Sequence, residues 1–126
     1  MAKITQLNIG IIGLGRIGSI FLDAMQKKQN INIFCVAERA DTPAKAKAES
    51  SGIIISTLDE IVGMSEMLDV IFDLTAIPDV RKELREKLQA TNNTHTIIAT
   101  EAIVHLIWSL ISEEALPVIE GRKTGY

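Results

Sequence analysis

The hexapeptide Gly13-Leu14-Gly15-Arg16-Ile17-Gly18 constrains this chain more than any other stretch. Its spacing is G-x-G-x-x-G, and its flanks give the spacing meaning. The apolar run Leu7-Asn8-Ile9-Gly10-Ile11-Ile12 before it suits a buried strand. After it, Ile17, Ile20, Phe21 and Ala24 recur at i, i+3, i+4 and i+7, which places them on one face of a helix. The glycines therefore sit on a strand-to-helix turn.

A turn of this kind is where a dinucleotide fingerprint must lie. Gly13 permits the tight turn, Gly15 lets the backbone approach a pyrophosphate, and Gly18 lets the helix pack closely on the sheet. The helix start offers N–H groups and a partial positive charge to phosphates. A second strand, 31–37, is followed by Glu38, twenty residues beyond Gly18. A carboxylate there accepts hydrogen bonds from the adenosine ribose hydroxyls, which favours NAD and repels a 2′-phosphate. Arg39 competes with that choice, because a guanidinium at the same place pairs with the 2′-phosphate of NADP. The expected cofactor is NAD, with NADP as the alternative.

Strands and helices alternate along the rest of the chain. Thr42 and Pro43 open a second helix that stops at Gly52, and 53–55 is a short third strand. Thr57-Leu58-Asp59-Glu60 has the form of a capping box. A fourth strand is expected over 68–74 and a helix from Pro78, with Val80, Leu84 and Leu88 as its apolar stripe. A fifth strand over 96–99 and a helix over 102–113 follow. The alternation predicts an α/β fold with a doubly wound parallel sheet, in strand order 3-2-1-4-5. The ligand crevice then opens where the order reverses, beside Gly13–Gly18 and Thr75.

Composition narrows the class. With 126 residues, 47% hydrophobic and 23% charged, one globular domain is expected over 1–113, and 114–126 as a tail or linker. The net charge of −3 gives no basic footprint for nucleic acid. The first ten residues lack an apolar leader core, and no run approaches the ~18 apolar residues of a membrane span, so a cytoplasmic location is expected. Cys35, the single cysteine, falls in the second strand and reads as a buried structural thiol.

From Ile9 to about Ser109 the pattern resembles the NAD(P)-binding domain of a broad oxidoreductase group. The group includes homoserine dehydrogenase, aspartate dehydrogenase, dihydrodipicolinate reductase and the glucose–fructose oxidoreductase family. The matching stretches are Gly13–Gly18, Ala37-Glu38-Arg39, 44–52 and 68–75. The resemblance implies a Rossmann-like fold and an Arg16 that lies over the pyrophosphate. Gly13, Gly15, Arg16, Ile17, Gly18, Glu38, Arg39 and Thr75 are the candidate cofactor-binding residues.

Two departures bear on activity. The group's enzymes carry a second, substrate-binding domain, for which this chain has no room. Several of the families also place a catalytic lysine after the fifth strand. Here Glu101 resembles the glutamate of that Glu-Lys-Pro motif, but Ala102 stands at the lysine position. Alanine cannot donate a proton or polarise a carbonyl. Neither His95 nor His105 has a legible catalytic partner, and no Cys/His cluster has metal spacing. The expected function is therefore an NAD(H)-binding regulatory or sensor module, the N-terminal part of a larger protein and without catalysis of its own. The alternative is the cofactor domain of an oxidoreductase whose substrate domain lies outside this chain. The helix 102–113 is apolar around much of its circumference, so a homodimer contact is expected there, with Trp108 as its anchor.

Overall fold

A computed structural model describes residues 6–112. The strands are β1 (Leu7–Ile12), β2 (Ile31–Ala37), β3 (Ile54–Ile55), β4 (Val70–Asp73) and β5 (Ile97–Ile98). The helices are α1 (Arg16–Gln26), α2 (Pro43–Ser50), α3 (Leu58–Gly63), α4 (Pro78–Ala90) and α5 (Glu101–Ile111), with a 3-10 turn at Ser65–Met67. All strand pairs are parallel, in the order β3-β2-β1-β4-β5. The doubly wound Rossmann-like fold expected from the sequence is the fold of the chain.

Local chemistry accounts for the helix starts. Thr42, Thr57 and Thr100 each accept a backbone N–H to cap α2, α3 and α5, and Thr57 with Glu60 forms the full capping box. Pro78 opens α4 with its φ already helical. Thr100 as cap moves the start of α5 to Glu101, one residue before the expected start. The ends of β4 and β5 are shorter than the apolar runs that announced them. Leu68 is drawn into the 3-10 turn by its N–H bond to Ser65 O, 2.9 Å. The expected tail, 114–126, lies outside the described residues.

The pleat sends alternate residues of β1 to opposite faces. Ile9 and Ile11 join Phe21, Leu22, Phe72, Val104 and Trp108 on the side covered by α1 and α5. Ile12 joins Cys35, Ile61, Ile71 and Leu84 on the side covered by α3 and α4. Cys35 is buried as expected, and burial pushes its thiol up to about 11, which keeps it protonated and unreactive at neutral pH.

The expected interface anchor is a core residue instead. Trp108 is 2% exposed and stacks on Phe21, with centroids 6.3 Å apart and planes 16° from parallel. Phe21 in turn meets Phe72 at 5.8 Å. Periodicity alone could not say which stripe of an all-round apolar helix faces the sheet. The exposed stripe is Ile103, Leu106 and Leu110. Trp108→Ala should accordingly cost about 3–5 kcal/mol in urea denaturation, whereas the exposed change Leu110→Ala should stay within about 0.5 kcal/mol.

Candidate dinucleotide site

The carboxyl ends of β1, β2 and β4 converge on one rim of the sheet. Gly13 leaves β1 with φ +95°, a conformation that favours glycine, and its N–H donates to Ala37 O at 2.8 Å. A Cβ on Gly13 would lie 3.0 Å from the Thr75 methyl and 3.1 Å from Leu74 C. A Cβ on Gly18 would lie 2.0 Å from Gly13 O, so α1 crosses its own turn at backbone contact. Gly15 differs from both. Its φ of −77° suits any residue, and a Cβ there would meet nothing within 4 Å. Neither the backbone nor the packing of the protein requires glycine at that position. A side chain there would enter the open space in front of the α1 N-terminus.

No side chain caps α1, and its first turn holds no carboxylate. Exposed Arg16 and half-buried Ile17 stand in this first turn. First-turn amides and the helix dipole favour negative charge.

Glu38 closes the turn from the neighbouring strand. Its Oε1 accepts the Leu14 N–H at 2.8 Å and its Oε2 accepts the Ala40 N–H at 3.2 Å. The carboxylate thus bridges the glycine turn and the exit of β2. Each oxygen has accepted one of these N–H groups, and a carboxylate offers about four lone-pair sites.

A cleft of about 670 Å³ extends from this corner, within the size range of small-molecule sites. Gly13, Glu38, Arg39 and Thr75 line it, as do Lys45, Ser56, Leu58, Ile77 and Val80. Gly15, Arg16, Ile17 and Gly18 stand on the adjoining turn and do not line it. Thr75 turns its hydroxyl inward, donating to Asp73 Oδ1 at 2.7 Å and accepting the Ile77 N–H at 3.2 Å. Ser56 is the addition that sequence reading misses. Its one clue is its place at the carboxyl end of β3, just before the capping box.

Across the β4–α4 loop lies a buried ionic cluster. Asp73, 1% exposed, accepts Arg81 Nε at 3.2 Å, and Arg81 Nη2 donates to Asp73 O at 3.0 Å. Arg81 Nη1 also pairs with Glu101 at the first position of α5. The glutamate beside the lysine-less position is thereby tied to an arginine. Arg81 lies next to the Val80 stripe position in sequence, and the hydrophobic pattern gives no sign of its burial. At the opposite end of the sheet, exposed His95 pairs with Asp69 at 2.9 Å, away from the glycine turn.

Residues 8–102 match the family described as NADP oxidoreductase, coenzyme F420-dependent. Among solved structures, a protein described as a myo-inositol dehydrogenase from Sinorhizobium meliloti is 22% identical with a TM-score of 0.58, over 74% of this chain and 27% of its own. The scyllo-inositol dehydrogenase of Lactobacillus casei, solved with NAD(H) and scyllo-inositol, is 18% identical with a TM-score of 0.56, over 84% and 34%. Homoserine dehydrogenase of S. aureus is 19% identical with a TM-score of 0.59, over 86% and 31%. At these identities the likeness establishes the fold, and the chain spans about a third of the length of those proteins. No curated protein sequence matches the chain.

Removing Arg81 should leave Asp73 buried without a cation. Arg81→Ala should lower the unfolding free energy by about 3–5 kcal/mol in urea titration, while Arg85→Ala, at an exposed position, should change it little.

Proposed function

The chain belongs to the family described as NADP oxidoreductase, coenzyme F420-dependent, with an NAD(P)-binding Rossmann domain of oxidoreductase type, and on that premise we propose that it holds NAD(H) in the cleft beside the glycine turn. The single observation behind this assignment is the open side of Gly15 at an uncapped helix start. The amides of Gly15, Arg16 and Ile17 would face the pyrophosphate, with Arg16 over it. Gly13 and Gly18 shape the turn, and Glu38 would take the adenosine ribose hydroxyls with its remaining lone pairs. Arg39 and Thr75 would border the same half of the dinucleotide. When bound, the nicotinamide supplies hydride exchange.

The family description names NADP, whereas the L. casei neighbour holds NAD(H). Glu38 is the carboxylate that favours NAD, because it repels a 2′-phosphate; of the other acids in the lining, Asp59 and Glu83 pair with Lys87 and Glu60 caps α3.

The chain would act as the cofactor domain of an oxidoreductase whose substrate-binding part lies elsewhere. The second reading is a regulatory or sensor module that reports dinucleotide occupancy. Ala102 at the lysine position and Glu101 tied to Arg81 favour it, since neither residue is left to move a proton.

Calorimetry with NADH tests the site directly. Gly15→Val should keep the parent melting temperature and lose NADH binding; retained binding overturns the assignment. The parent should prefer NADH over NADPH by about tenfold or more, and Glu38→Ala should narrow that gap. Tighter binding of NADPH by the parent would give the site to Arg39.

We propose further that α5 joins two copies of the chain. Its exposed stripe of Ile103, Leu106 and Leu110 carries no charge, and a two-fold contact sets the same stripe against itself. Leu106→Lys should leave the fold intact and convert a dimer to a monomer in light scattering. A parent chain that is monomeric at high micromolar concentration rules this contact out.

A further inference from the structure

Two consecutive amides of the glycine turn are bonded to the exit of β2. The Gly13 N–H donates to Ala37 O at 2.8 Å, and the Leu14 N–H donates to Glu38 Oε1, also at 2.8 Å. The next amide, of Gly15, has no partner among the described residues and stands at the uncapped start of α1. The first bond runs between backbone groups and survives a change of side chain. The second depends on a single half-buried carboxylate.

These two bonds hold the peptides on either side of Gly13, whose φ of +95° is one of many conformations open to glycine. Held at both peptides, Gly13 keeps one conformation, and the Gly15 amide that follows keeps one direction. Released at one of them, it regains freedom that an incoming ligand must remove, which weakens binding. The same carboxylate also repels an anion at the helix start. Water and salt screen that repulsion, whereas a hydrogen bond to a charged acceptor is stronger than a neutral one. The ordering effect therefore outweighs the repulsion.

We infer that Glu38 is a positioning residue for the pyrophosphate: through Leu14 it locks the glycine turn before the ligand arrives, with the Gly15 amide left open to phosphate. The inference rests on the assignment of the cleft to NAD(H). It gives position 38 two separable duties. The turn needs an acceptor there, and exclusion of a 2′-phosphate needs a charge. Glu38→Gln keeps an acceptor and drops the charge. Glu38→Met keeps the length and drops both.

The test compares the parent chain with both variants, using inorganic pyrophosphate followed by phosphorus NMR and NADH followed by calorimetry. Pyrophosphate has no sugar, so it reads the turn apart from the ribose contacts. Glu38→Met should weaken pyrophosphate about threefold to tenfold, and Glu38→Gln should bind it at least as tightly as the parent. Glu38→Ala takes the place of Glu38→Met if thermal melting shows the latter unfolded. Pyrophosphate held by Glu38→Met as tightly as by the parent, or more tightly, overturns the inference and leaves Glu38 a ribose acceptor alone. Equal weakening by Glu38→Gln and Glu38→Met overturns it too, since an acceptor would then not suffice. A parent that binds NADH and no pyrophosphate has the same consequence. If the parent binds neither ligand, the dinucleotide reading of the cleft fails first and this inference falls with it.

Discussion

The contact between α1 and its own entry turn is the constraint on which the rest of the site depends. With Gly18 set against Gly13 O, the axis of α1 is fixed within a backbone's width of β1. That closeness aims the first turn of α1 along the rim of the sheet. It also seats Phe21 over Phe72 and under Trp108, so one glycine contact positions the uncapped helix end and the aromatic cluster together. The left-handed Gly13 and the tight space around it complete the turn, because Thr75 packs where a side chain on Gly13 would go. The exits of β1 and β4 are thereby held together at the point where the strand order reverses.

Glu38 and Asp73 show one residue class used in two ways. Both are carboxylates at the carboxyl end of a strand. Glu38 sits at the surface of the cleft, takes two backbone N–H groups and keeps capacity for a ligand. Asp73 is buried, and Arg81 and the β4–α4 turn surround it. The ion cluster spends its charge on joining β4, α4 and the start of α5. A buried charge pair of this kind adds little net stability over apolar packing, and its value lies in fixing one arrangement of the elements that meet there. The same arginine also ties down Glu101, beside Ala102.

Most of the fold was legible because its signals are local. Glycine spacing, threonine caps, Pro78 and the period-2 and period-3.6 apolar runs each act over a few residues, and they gave every strand and helix within a few positions. Glu38 was legible for the same reason, being fixed by its distance from Gly18 along one strand–helix–strand unit. Ser56, Lys45 and Arg81 were not. Their places come from neighbours far away in sequence: Ser56 lines the same cleft as Glu38 because β3 pairs with β2, and Arg81 meets Glu101 because β4 pairs with β5.

The sequence by itself determined the strand–helix alternation, the glycine turn and the acid at the end of β2, because steric and hydrogen-bonding rules over short spans leave few alternatives. Tertiary structure alone decided which stripe of α5 turned inward. Its apolar residues run around the whole helix, so the direction was set by which of them could stack on Phe21, and Trp108 took that place while Leu106 and Leu110 were left outside. It also decided that the hydroxyl of Ser56 would be buried, since burial depends on the packing of elements distant in the chain and no short-range pattern encodes it.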